Sequence, residues 1–143
     1  KYIVNSIEKT INELKMKKTI LVCGLSYKPN VEDMRDSPSF KIIQELKAKE
    51  FTIYGFDPFF NSDLTEKYLI ENHISELNFI EIKELNDETI KKINCMCIVQ
   101  HHDENKSRIK EIYEKSLIPF IYDCQSKLQQ KSKSNCKLEF LGN

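Results

Sequence analysis

Apolar positions in the opening stretch recur at intervals of three and four. Val4, Ile7, Ile11 and Leu14 fall on one stripe of an amphipathic helix. No capping residue precedes it, so residues 1–17 read as the end of a longer linker or central helix arriving from upstream. The period then changes. Thr19-Ile-Leu-Val-Cys-Gly24 is an unbroken β-prone run closed by glycine, the pattern of a strand buried on both faces. Residues 25–36 are polar and irregular. Ser37-Pro38 opens a helix, with serine as N-cap and proline at the first helical position, and Phe40, Ile42, Ile43 and Leu46 line its inner face.

The same alternation continues to the end of the chain. Residues 51–56 form a second strand, stopped by Asp57-Pro58, and a weaker helix is expected over 62–72. Phe79-Ile80 is a short strand, and Asn86-Asp87 caps a helix reaching Lys92. A strong strand over 95–100, a charged helix over 103–115 and a strand over 120–122 follow. Residues 126–137 are a Ser/Lys-rich surface connection, and 138–141 close the pattern as a strand. Strands alternating with helices imply a parallel sheet with right-handed crossovers, covered on both sides. The expected fold is therefore α/β: one Rossmann-like domain over 18–143, an open parallel sheet of about six strands with helices on both faces, preceded by an N-terminal helix.

Composition narrows the function. Lys+Arg and Asp+Glu are equal at 22 each, so no overall field gathers nucleic acid or an anionic membrane. An anionic ligand would need one or two placed cations. No apolar stretch approaches the ~20 residues that cross a bilayer. Of the five cysteines, Cys23, Cys95 and Cys97 lie in strand-like runs as small buried hydrophobes, and Cys124 and Cys136 complete an odd count without framework spacing. That usage fits a reducing, cytoplasmic compartment, and no metal site is expected.

In open parallel sheets, ligands bind beyond the carboxyl ends of the strands. Three segments reach that edge: 24–37, 100–103 and 123–127. The first, GLSYKPNVEDMRDSPS from Gly24, has the position of a dinucleotide loop but only one of its three glycines. Lys28 can hold phosphate as a point charge and Tyr27 can lie against a base or sugar; an ordinary solvated lysine is the competing reading. His101-His102-Asp103-Glu104 invites a metal or acid–base reading. Adjacent residues point in different directions, however, and no nucleophile is partnered with them. His102 is expected to cap the following helix with Asp103 or to line the cleft. No catalytic residue is assigned.

The run Gly24-Leu-Ser-Tyr-Lys-Pro-Asn-Val-Glu-Asp-Met-Arg-Asp-Ser-Pro38, followed by Tyr54-Gly-Phe-Asp-Pro58, closely resembles the C-terminal domain of the UDP-glucose/GDP-mannose dehydrogenase family. That family carries G-x-x-[FY]-K-x-x-x-x-D-x-R-x-S-P and a downstream Y-D-P, and the wording is nearest bacterial enzymes acting on UDP-N-acetyl-hexosamines. The resemblance implies that Tyr27 and Lys28 bind the UDP-sugar. For Asp33 and Arg35 two readings stand: a pair that clamps the loop, or direct ligand contact. The family's D-x-R or D-x-K after the fifth strand is here Asp123-Cys124-Gln125, so either Lys127 substitutes for the cation or the contact is weaker.

The resemblance further implies an NAD-dependent enzyme that oxidises a sugar C6 alcohol to a uronic acid, as in polysaccharide-precursor synthesis. NAD would be bound mainly by a missing N-terminal domain, the catalytic cysteine would lie in a missing central region, and the whole enzyme would be a homodimer. This chain alone would bind UDP and be inactive. Two alternatives are a stand-alone Rossmann-like nucleotide- or partner-binding module and a small complete NAD(P) enzyme; the latter lacks its three-glycine loop.

Overall fold

A computed structural model of the chain describes residues 2–24, 38–57, 79–82, 84–129 and 135–141. The elements are α1 (Tyr2–Glu13), β1 (Thr19–Cys23), α2 (Pro38–Ala48), β2 (Thr52–Phe56), β3 (Phe79–Ile82), α3 (Asp87–Ile90), β4 (Cys95–Ile98), a 3-10 turn (Asp103–Asn105), α4 (Lys106–Glu114), β5 (Phe120–Asp123) and β6 (Lys137–Phe140). Six strands form one sheet in the order β3-β2-β1-β4-β5-β6, and every pairing is parallel. The expected doubly wound sheet is therefore present. The helix expected over 62–72 lies outside the described residues.

Alternation along each central strand feeds two cores. Ile20, Val22, Cys95, Cys97, Phe120 and Tyr122 face one side, where α1 and α2 pack. Leu21, Cys23, Met96, Ile98 and Ile121 face the other, under α3 and α4. This two-sided burial is why the strands read as continuous apolar runs. Cys95 and Cys97 do share a face. All five cysteines are free thiols, and burial pushes those of Cys23 and Cys136 up to about 12.

The opening helix belongs to this packing. Val4, Ile7 and Ile11 are all buried in the first core. Thr10 donates its hydroxyl to Glu139 in β6 at 2.6 Å, and Glu8 pairs with Lys18 and Lys49 at 3.2 and 3.3 Å. Leu14 departs from the predicted stripe and is 47% exposed. The helix stops at Glu13, and Lys15 turns the chain into the left-handed region at φ 55°. Two other boundaries differ from the sequence pattern. The strand expected over 95–100 ends at Ile98, where the chain turns at the sheet edge. The helix expected from 103 begins as a 3-10 turn before α4.

Candidate functional site at the carboxyl edge of the sheet

Register places the strand ends together. Cys23 lies opposite both Phe56 and Ile98, and Ile98 lies opposite Asp123. Gly24, Asp57, Gln100 and Cys124 therefore emerge side by side or nearly so. The chain leaves β1 toward β2 and β3 and returns to β4 on the other side, so the switch point falls at the carboxyl ends of β1 and β4. Gly24 has φ +90°, and a Cβ there would sit 2.5 Å from the Gln100 carbonyl oxygen. Only glycine permits this approach. Its carbonyl accepts a 2.5 Å bond from the hydroxyl of Ser39 on the first turn of α2. That bond fastens the exit of β1 to the helix that follows.

Two histidine–carboxylate pairs flank this point. His101 donates from Nε2 to Asp123 Oδ1 at 2.9 Å, and His102 donates from Nε2 to Asp57 Oδ2 at 3.0 Å. The His102–Asp57 side chains are wholly out of solvent. Because β2 and β4 both adjoin β1, this second pair spans the end of β1. Beneath it, Asn105 donates to Cys23 Sγ at 3.7 Å, while its own buried Oδ1 has no partner among the described residues. The two pairs remain separate: among the described residues no three His, Cys, Asp or Glu side chains gather as a metal-ligand set.

Asp123 organises the turn after β5. Oδ1 also accepts from the backbone N–H of Gln125 at 3.0 Å, and Oδ2 accepts from those of Lys127 and Leu128 at 2.8 and 2.9 Å. Burial alone would raise its pKa. The bonds from His101, Leu128 and Gln125 and the charge of His101 outweigh burial and hold the carboxyl below its ordinary value.

The predicted site residues separate accordingly. Tyr27, Lys28, Asp33, Arg35 and the capping Ser37 lie outside the described residues. His102 occupies the N-cap position of the 3-10 turn but makes no side-chain capping bond; its ring is turned to Asp57 instead. Gln125 accepts from the His101 backbone N–H at 2.9 Å and donates to Gln100 Oε1 at 2.8 Å, so its amide braces the turn internally. The Lys127 side chain lines a cleft beside α4 that Gln125 does not line. Sequence reasoning missed the two histidine–carboxylate pairs. The signal for them was an acid at or just past the end of β2 and β5, with a His-His step shortly after β4.

Fold and strand order define a doubly wound α/β domain whose switch point falls between the carboxyl ends of β1 and β4. Residues 21–130 match the model of the UDP-glucose/GDP-mannose dehydrogenase family, UDP binding domain, and the chain belongs to that family. The UDP-N-acetyl-D-mannosamine dehydrogenase of Methanococcus vannielii is 30% identical over 149 aligned residues, covering 99% of this chain and 31% of that protein. The UDP-glucose 6-dehydrogenase YwqF of Bacillus subtilis is 30% identical over 120, covering 82% and 26%. Among solved structures, the UDP-N-acetyl-mannosamine dehydrogenase Cap5O from S. aureus superposes with a TM-score of 0.65 at 20% identity, covering 99% of this chain and 30% of that one. The UDP-D-ManNAc dehydrogenase from Pyrococcus horikoshii gives 0.69 at 16%, with the same coverages. The chain thus spans a little under a third of the relatives it matches along its whole length.

Proposed function

We propose that this chain is the nucleotide-sugar-binding part of an NAD-dependent UDP-sugar 6-dehydrogenase, acting on a UDP-N-acetyl-hexosamine. The observation that carries the reading is the family match over 21–130, which includes the Tyr27-Lys28 loop and the switch point it follows. Lys28 neutralises diphosphate charge and Tyr27 lies against the base or sugar. Asp33 and Arg35 order the loop or reach the ligand. Residues 1–17 end a linker helix and 18–143 form the binding domain.

The sequence of the loop after β1 and the engagement of Asp57 do not fit NAD. A dinucleotide fold uses a three-glycine turn and an acid after the second strand facing a ribose. Here the turn has one glycine, and the Asp57 carboxylate is held by His102 away from solvent. NAD, hydride transfer and the covalent cysteine step therefore belong to a part of the enzyme outside this chain. Its buried Cys23 is held protonated, with a pKa pushed up to about 12, and serves as packing.

In this reading the enzyme is a cytoplasmic homodimer that supplies a uronic acid for polysaccharide synthesis. Calorimetric titration with UDP, UDP-GlcNAc, GDP and NAD tests it. Binding of the uridine ligands in preference to NAD is expected, and binding of NAD alone would overturn it. Reduction of NAD by the isolated chain with any UDP-sugar would also contradict the division of labour.

A further inference from the structure

The cations of α4 divide by side. Arg108 pairs with Asp87 and Glu111, and Lys115 pairs with Glu111. Lys106 and Lys110, one helical turn apart on the opposite side, make no ion pair among the described residues. The same holds for Lys127, which faces them from the segment after β5. All three line one cleft of about 660 Å³ between α4 and residues 127–129. Leu128 is its half-buried apolar face, with Ile109 and Tyr113 buried in the core behind it, and among the described residues Glu114 is the only carboxylate in its lining. At the sheet edge the cleft ends on His101.

This is not a by-product of a basic protein, because the chain as a whole is neutral. Three exposed lysines around one concave surface give it a positive potential, and an anion bound there is favoured over one on the rest of a neutral surface. The volume falls in the range of small-molecule sites, roughly 300–1,000 Å³. From Lys106 to Glu114 the helix rises about 12 Å, room for a phosphate group and an attached ring.

We propose that this cleft is a second ligand site, taking a phosphorylated small molecule whose phosphates lie among Lys106, Lys110 and Lys127 and whose apolar body rests on Leu128. His101 connects it to the sheet edge. Its ring holds Asp123 and its backbone N–H holds Gln125, so an occupant pressing on His101 acts on the turn after β5. That coupling rests on the nucleotide-sugar reading above; binding in the cleft does not.

The test titrates ATP and inorganic tripolyphosphate calorimetrically into the chain, the Lys106→Ala/Lys110→Ala variant and Lys28→Ala. Amide chemical shifts locate the ligand, and circular dichroism checks folding. ATP is expected to bind more tightly than tripolyphosphate and to shift the amides of Ile109, Tyr113 and Leu128. The double variant should weaken ATP binding by about tenfold or more, whereas Lys28→Ala should leave it unchanged. Equal ATP affinity in the double variant, loss of ATP binding in Lys28→Ala, or no heat from either probe at millimolar concentration overturns the proposal. UDP binding lost in Lys28→Ala alone would leave the nucleotide-sugar reading standing if the cleft failed. ATP binding in the cleft without any UDP binding would do the reverse.

Discussion

His102 and Asp57 hold each other across the carboxyl end of β1, Nε2 to Oδ2 at 3.0 Å, with both side chains excluded from solvent. The pair ties the exits of β2 and β4 to each other over the strand between them, so it braces the carboxyl edge of the sheet at the switch point. Removing the imidazole leaves a buried carboxylate without its ring partner. His102→Ala is therefore expected to cost about 3–5 kcal/mol, read as a lower urea midpoint. An unchanged midpoint would contradict this role.

Gly24 carries the second constraint. A side chain there must adopt φ +90° and also push into the Gln100 backbone, 2.5 Å from its carbonyl oxygen. Gly24→Ala is expected to destabilise the domain by about 2–4 kcal/mol. Gly55→Ala, inside β2, is the comparison for the backbone term, since that glycine has no positive φ. An unchanged urea midpoint in Gly24→Ala would refute the close approach.

Acid stability should depend on Asp123. Its folded-state pKa is depressed, because hydrogen bonds and the His101 charge outweigh burial. Its contribution is fully present above the unfolded-state value of about 3.9 and is lost as pH falls through the lower folded-state value. Asp123→Asn should remove this dependence below about pH 4 and lower stability at neutral pH by about 1–3 kcal/mol. Urea titrations across that pH range give both quantities. An acid limb of unchanged slope in the variant would count against the assignment.

The opening helix is expected to stabilise the sheet it covers. Ile7 is fully buried in the first core, and Ile7→Ala should cost about 2–5 kcal/mol. Truncating the exposed Leu14 to alanine should change stability by less than about 0.5 kcal/mol. Thermal unfolding of the two variants checks the contrast.

Much of this fold was legible because a doubly wound sheet writes itself as apolar runs separated by helical periods. The runs at 19–24 and 95–100 needed no partner to be read, since both faces of each strand are buried. Leu14 misled because spacing alone does not say where a helix stops; the left-handed Lys15 decides that. The histidine pairs were not legible for a different reason. Asp57 and His102 are 45 residues apart and come from strands that are not neighbours, so they meet only once the order 3-2-1-4 is known. Gln125 is the intermediate case. Its position after β5 marked it as a site residue, but its engagement by Gln100 and the His101 backbone depends on the fold.

The proposed hold of the loop after β1 on a nucleotide sugar through Lys28 is tested by calorimetric titration of UDP into the chain and into Lys28→Ala. Measurable binding by the chain and a loss of about tenfold or more in the variant are expected, with the thermal midpoint unchanged. Undiminished UDP affinity in the Lys28→Ala variant would contradict it.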